Sequence, residues 1–293
     1  MLKRIKKIIR RIFGGRSCYY WRYFWDKKAM KKALSDNDKI QRQTAEKVAI
    51  LFIGTNRYIY FFPNYYNSLK KLFLPNTPKD FFVFTDQNFD FIRNKKNVII
   101  IPIKHENFPF INLRKFKFIN KAKRKLKKYS HIVYIDADMY ASSFMFENEF
   151  FNHNKPLFAV LHHDFVKKKA FQQFESNPKS MANVGAGDFS TYWQACFWGG
   201  KSADFLKAVE KMAKDTEEDI KKGIIAKWWD ESFLNKYLIE HKKDVHTLNP
   251  AYSYPELKPI PKGFEKKIIH TYRNPTNLEG LSIKKGVRKE RID

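Results

Sequence analysis

Residues 131–139 read HIVYIDADM: a short apolar run that suits a buried strand, then Asp136 and Asp138 on either side of Ala137. Aspartate is a poor strand residue and is costly to bury without a partner. Two acids at the end of such a run mark the point where a strand leaves the core. In an extended segment, residues i and i+2 point the same way. Two carboxylates side by side repel unless a cation joins them. A divalent metal holding a diphosphate meets that need, because it takes hard oxygen ligands. The plainer alternative is a strand-end turn capped by aspartates.

Working outward, VAILFIGT (48–55) reads as a buried strand running into a glycine turn, and FPNYYNSLKKLFL (62–74) as a helix. DFFVFTD (80–86) and NVIIIPI (97–103) read as two further strands, and residues 112–129 as helical. This order predicts an α/β sheet of parallel strands with both faces covered. Ligands in such folds bind at the carboxyl ends of the strands, where Asp136 and Asp138 lie. The second half is more irregular, with helices expected over 201–214 and 230–241. Gly199 and Gly200 in QACFWGG (194–200) mark a turn or a close backbone approach.

The 293 residues carry a formal net charge of +27, which implies polyanionic surroundings. No apolar run reaches the ~18 residues that a membrane-spanning helix needs, and no signal-peptide pattern is present. Cys18 and Cys196 suggest no disulfide framework, so a reducing cytoplasm is expected. Residues 1–33 hold 12 Lys/Arg against Asp26 alone, a net +11. On a helix, Leu2, Ile5, Ile8, Ile9 and Ile12 fall opposite most of these cations, and the aromatics of CYYWRYFW (18–25) follow. That pattern fits a helix lying on an anionic membrane. A solvated basic tail, or a helix packed on the domain, is the alternative. Nucleic-acid binding is the weaker reading, because no recognised motif for it is present. The expected organisation is a membrane-associating segment 1–33, a domain 47–282 and a basic tail 283–293.

In AKWWDESFLNKYL (226–238), Asp230 and Glu231 begin an apolar-periodic helix. Acids there suit the helix dipole. They also suit a carboxylate presented to a sugar, whose oxocarbenium-like transition state it stabilises or traps. Trp228 and Trp229 offer flat faces for sugar rings, or fill core. His162 and His163 in VLHHDF (160–165) either bond a substrate or serve structure. Cys196 reads as a small buried hydrophobe without chemistry.

Together these stretches resemble glycosyltransferase family 6, the family of the blood-group A and B transferases, from about Val48 to about Tyr254. WWDESFLNKYL with LNPAYSY is the most specific part. LFIGTNRYIYFF, SLKKLFLP, FFVFTD, VLHHDF, FESNPKSMANV and QACFWGG follow in the family's order. The resemblance implies a single-domain GT-A fold. It implies retaining transfer of galactose or N-acetylgalactosamine, from UDP-Gal or UDP-GalNAc, to the 3-hydroxyl of a β-galactoside-type acceptor. Ile53, Thr55 and Tyr58 would line the uridine site. Asp136, Ala137 and Asp138 match the D-x-D, whose acids would hold Mn²⁺ and the diphosphate. Gln194 and Cys196 fall at selectivity positions, and His162 and Trp228 at acceptor contacts. Asp230 would bind the donor sugar. Glu231, also facing the acceptor, matches the proposed nucleophile or oxocarbenium stabiliser.

There are departures from the family pattern. Trp229 and Phe233 stand where the family has histidines. The donor-contacting arginine falls at Arg114 or Lys115. GAGDF (185–189), with Asp188, sits two residues early. Bacterial relatives with N-x-N work without metal; both acids here predict metal dependence. The expected enzyme is a cytoplasmic one on the inner membrane face, acting on a lipid-linked lipopolysaccharide or O-antigen intermediate. The tail cations Lys284, Lys285, Arg288 and Arg291 would close over the UDP phosphates, stabilising the leaving group. A family 8-like galactosyl- or glucosyltransferase is the alternative enzyme, and a basic nucleic-acid-binding protein the alternative class. Nucleic acid is not the expected partner.

Overall fold

The computed structural model describes residues 46–151, 154–165, 173–185, 189–259 and 265–271. The segment 1–33 and the tail 283–293, with their membrane and phosphate readings, lie outside the described residues.

The chain enters β1 (Val48–Ile53), then α1 (Phe62–Leu72), β2 (Lys79–Thr85), a short α2 (Asp90–Arg93) and β3 (Val98–Pro102). The predicted 112–129 helix is three pieces, α3 (Phe110–Leu113), α4 (Lys115–Lys121) and α5 (Lys123–Leu126). Next come β4 (His131–Ile135), β5 (Met139–Ala141), β6 (Leu157–Leu161) and β7 (Trp193–Lys201). The remainder is α6 (Ser202–Lys221), α7 (Trp229–Glu240), β8 (Val245–Leu248), β9 (Tyr254–Pro255) and β10 (Ile268–His270).

Seven strands form the central sheet in the order β3-β2-β1-β4-β7-β6-β8, and β5-β10-β9 form a small second sheet. β1 to β4 are mutually parallel, as expected. The sheet as a whole is mixed, because β7 runs antiparallel to both β4 and β6. This mixed α/β sheet, parallel over β1 to β4, agrees with the GT-A fold that the family resemblance implies.

The apolar strands are buried on both faces. Ala49, Leu51, Phe82 and Phe84 pack with Phe116, Phe205, Val209 and Leu234 on one side. Val48, Ile50, Phe52 and Val83 pack with Phe62, Tyr65 and Leu69 of α1 on the other. This double cover is why those strands read as continuous apolar runs. Gly199 lies in a strand, not a turn. A Cβ there would meet the Ile132 carbonyl oxygen at 2.6 Å, so close backbone approach requires the glycine.

The register between β6 and β7 breaks between Ala159, which faces Trp198, and Val160, which faces Gln194. Of the skipped β7 residues, Phe197 pairs with Ile135 at the end of β4, Cys196 bonds Asp136, and Ala195 bonds Glu231. Among the described residues, no helix is long and apolar enough to cross a membrane.

Candidate active site

β4 stops at Ile135, and residues 136–138 turn at the carboxyl edge of the sheet, so the alternation expected of an extended D-A-D does not apply. The turn is tied down by Asp136 N–H to the Cys196 carbonyl at 2.8 Å and Met139 N–H to the Asp136 carbonyl at 3.2 Å. The first of these bonds continues the antiparallel register in which Ile135 faces Phe197, one residue beyond the end of β4.

Asp136 Oδ1 accepts from Tyr134 Oη at 2.5 Å and from Lys115 Nζ at 3.2 Å. The same ammonium donates to Asp230 Oδ2 at 2.5 Å and lies 4.5 Å from the Tyr134 ring centroid. Lys115 is buried in the first turn of α4, and Asp230 in that of α7. Burial alone would lower the Lys115 pKa, but the two carboxylates raise it well above its ordinary value. Burial would likewise raise Asp136, yet the Lys115 ammonium and the Tyr134 hydroxyl hold it below the usual carboxylate range. Asp230 is pushed up by burial, against the pull of Lys115. Arg114, the other candidate for the donor-contacting cation, points elsewhere. It pairs with Glu106 and, at 2.9 Å, with Glu217.

Glu231 follows Asp230 into α7. Its Oε2 accepts the Ala195 N–H at 3.0 Å, again from the bulged part of β7. Burial raises its carboxyl to about 7, with the Ala195 N–H and the Tyr192 hydroxyl opposing. Tyr192 Oη is buried beside Glu231 without meeting hydrogen-bond geometry. Asn235, fully buried one turn on, accepts from Trp193 N–H at 2.9 Å. It donates to the Trp193 carbonyl at 2.8 Å and the Glu231 carbonyl at 2.9 Å. Trp229 takes φ +48°, a left-handed conformation rare for a bulky residue, as the chain swings into α7. Sequence reasoning missed Asn235, although a polar residue four positions after Glu231 on an apolar helix face is a usable signal. It also missed Tyr134, which reads as an ordinary strand aromatic, and Tyr192, which lies outside the motifs singled out.

Gln194 and Cys196 form a buried polar cluster with Ser253. Gln194 Oε1 accepts from Ser253 Oγ at 2.9 Å, and its amide donates to the Leu161 and Ser253 carbonyls at 3.3 and 3.2 Å. Cys196 Sγ lies 3.0 Å from Ser253 Oγ, and burial pushes its thiol pKa well up, which leaves it no nucleophile. His162 Nδ1 accepts the Asp164 N–H at 3.2 Å, and its ring stands 5.8 Å from that of Tyr192. Burial and His163 lower His162 to about 4, so it is neutral at pH 7. Trp228 is 37% exposed at the start of α7. Trp229 packs edge-on against Phe108, 4.5 Å between centroids.

Ile53 ends β1, and Thr55 follows Gly54, whose Cβ would strike the Phe52 ring. Thr55 Oγ1 bonds His105 Nδ1 at 2.9 Å, and Tyr58 sits on the 3₁₀ turn Asn56–Phe61. These three therefore share the carboxyl edge with Asp136. Asp188 lies outside the described residues.

Two sets of residues offer ligands to a metal. In the D-A-D turn, Asp136 is ionised and partly exposed with its Oδ1 held by Lys115 and Tyr134, and Asp138 is buried with its Oδ1 3.9 Å from His270 Nδ1; these are hard oxygen donors of the kind Mn²⁺ or Mg²⁺ takes. His162, His163 and Asp164 bring ligand atoms within 4.8 Å of one another, but Lys258 already pairs with Asp164.

A mixed sheet with parallel strands, an acid turn at its carboxyl edge and a carboxylate pair opening a facing helix fit a glycosyltransferase. Residues 23–278 match the sequence model of Glycosyltransferase family 6, and the chain belongs to that family. It is 29% identical over 216 residues to the O-antigen biosynthesis glycosyltransferase WbnI of Escherichia coli, covering 71% of this chain and 88% of that protein. It is 24% identical over 227 residues to the Histo-blood group ABO system transferase 1 of Rattus norvegicus (75% of this chain, 63% of that one). It is 25% identical over 228 residues to the Globoside alpha-1,3-N-acetylgalactosaminyltransferase 1 of Mus musculus (74% and 64%). The chain thus spans just under two thirds of these mammalian relatives.

Proposed function

We propose that this protein is a retaining α-1,3-galactosyl- or α-1,3-N-acetylgalactosaminyltransferase that uses a UDP-sugar and extends a lipid-linked surface glycan such as an O-antigen intermediate. The observation that carries the reading is Lys115, whose ammonium joins Asp136 of the D-A-D turn to Asp230 of the W-D-E-S helix. One buried ammonium thus contacts two carboxylates from distant parts of the chain, which supports reading them as parts of a single donor site. The O-antigen relative supports the acceptor class.

In this reading Ile53, Thr55 and Tyr58 hold the uridine. Asp136 and Asp138 would hold a divalent cation, which when bound supplies charge to the diphosphate leaving group. Lys115 keeps Asp230 and Asp136 in place without a second metal. Asp230 accepts hydrogen bonds from donor-sugar hydroxyls. Glu231, oriented by the Ala195 N–H and held on Asn235, presents its carboxylate to the anomeric carbon, where positive charge develops. Gln194 and Cys196 shape the sugar pocket from below, and His162 and Trp228 meet the acceptor. The basic segment 1–33 holds the enzyme on the inner face of the membrane, and the tail from 283 covers the diphosphate.

The test is release of UDP from a panel of UDP-sugars, with and without Mn²⁺. UDP-Gal or UDP-GalNAc should be turned over, and Glu231→Gln and Asp138→Ala should lose that activity. Full activity in both variants would remove these residues from the mechanism.

A further inference from the structure

The amino ends of the parallel strands, opposite the candidate active site, carry a separate chemical feature. A cleft of about 590 Å³ opens between the last turns of α1 and the loop into β3. Lys70, Lys71, Lys95 and Lys96 line it with Tyr66 and Asn94, and no acid lines it. The Lys95 and Lys70 ammonium groups lie 4.6 and 5.5 Å from the Tyr66 ring centroid, and Tyr66 Oη is fixed on Asn97 Oδ1 at 2.7 Å.

The cations continue along this edge. Exposed Lys127 and Lys128 precede β4, and exposed Lys201 ends β7 in register with His131. Exposed Lys155 precedes β6 on the same edge. Of the acids here, Asp80 is taken by Lys47 at 2.7 Å and by Tyr129, Glu147 is buried on Thr77 beside Lys79 and His131, and Glu46 is exposed. From β3 to β7 the edge crosses four strand spacings, roughly 19 Å. The segment before residue 46, with its net +11 in residues 1–33, joins the domain covalently at this edge.

We propose that this lysine-bearing edge docks the folded domain on an anionic lipid surface, with headgroup phosphate entering the Lys70–Lys96 cleft. Lysine is a compact point charge that binds phosphate without demanding a fixed geometry, as a fluid headgroup layer requires. Nucleic acid is less well served. The cleft has no arginine fork, and its one aromatic ring is buried beneath two ammonium groups rather than offered for base stacking. Docked this way, the active site stands about one strand length, roughly 17 Å, above the lysines. That distance suits a glycan chain rather than the headgroups themselves. The proposal does not rest on the donor sugar or the metal.

The experiment is cosedimentation of the full chain with phosphatidylcholine vesicles, with and without phosphatidylglycerol. The parent is compared with Lys70→Gln/Lys71→Gln/Lys95→Gln/Lys96→Gln. A charge-matched control, Lys207→Gln/Lys214→Gln/Lys221→Gln/Lys222→Gln, removes exposed lysines of α6 and of the residue that ends it. Thermal unfolding verifies that both fold. The cleft variant should lose on the order of tenfold or more in partitioning onto phosphatidylglycerol vesicles, and the α6 variant no more than about twofold. Equal losses in the two variants would reduce the effect to net charge and overturn the proposal. So would a cleft variant that keeps its vesicle affinity, whether or not it loses affinity for duplex DNA measured alongside.

Discussion

Lys115 Nζ lies 2.5 Å from Asp230 Oδ2 in a buried contact that bridges α4 and α7. Removing the cation leaves two carboxylates, Asp136 and Asp230, facing each other with little water. Lys115→Met should therefore cost about 3–5 kcal/mol of stability, as for a broken buried pair, and abolish donor hydrolysis. Arg114→Met should cost under about 1 kcal/mol and keep turnover, because its partners are partly exposed. Urea unfolding and UDP release measure both. Interchanged effects would move the donor contact to Arg114.

Glu231 sets the pH dependence. With its carboxyl raised to about 7, the carboxylate needed for catalysis is lost as pH falls through neutrality, so donor hydrolysis should show an acid limb near pH 7. Tyr192→Phe removes a hydroxyl that favours the carboxylate, so the limb should move to higher pH. An unmoved limb would make Tyr192 packing alone.

The same shift bears on stability. A carboxyl raised in the folded state costs stability as it ionises. The cost is absent below the unfolded value near 4.5 and complete above about 7. Glu231→Gln should therefore unfold at higher temperature than the parent at pH 8, and the gap should close towards pH 5. A constant gap would mean that burial does not govern this group.

The D-A-D turn predicts a metal requirement. Chelation should suppress UDP release and added Mn²⁺ restore it, while Asp138→Ala should not be restored. A full rate in excess chelator would leave the two acids as turn caps.

Asn235 should matter to catalysis through position. Asn235→Ala leaves the Trp193 N–H without its partner and takes a side-chain donor from the Trp193 and Glu231 carbonyls in a fully buried site, at a cost of about 1–3 kcal/mol. Freed from that link, Glu231 should show a lower kcat with KM little changed. A rise in KM alone would place Asn235 in substrate binding instead.

Much of the fold was legible because local rules agreed. VAILFI, FFVF and VIII are apolar runs of strand length, and α1 carries its helical spacing in FPNYYNSLKKL. The antiparallel β7 was not legible: QACFWGG reads as turn chemistry, and only the backbone of β4, 2.6 Å from a Cβ at Gly199, explains the glycine. The single helix expected over 112–129 breaks into three, since an apolar period does not report where hydrogen bonding is interrupted.

By itself, the sequence determined the strand run into Asp136, the carboxylate pair opening α7, the unusual positive charge and the family to which these belong. These are properties of residue type and spacing, and spacing survives any arrangement in space. Which cation serves the site was decided only by tertiary structure. Arg114 and Lys115 are neighbours in sequence, yet the direction of one helical residue sends the first to Glu217 and the second to Asp230. Nor does spacing fix the ionisation of Glu231, which depends on how much water the packing of β7 against α7 excludes.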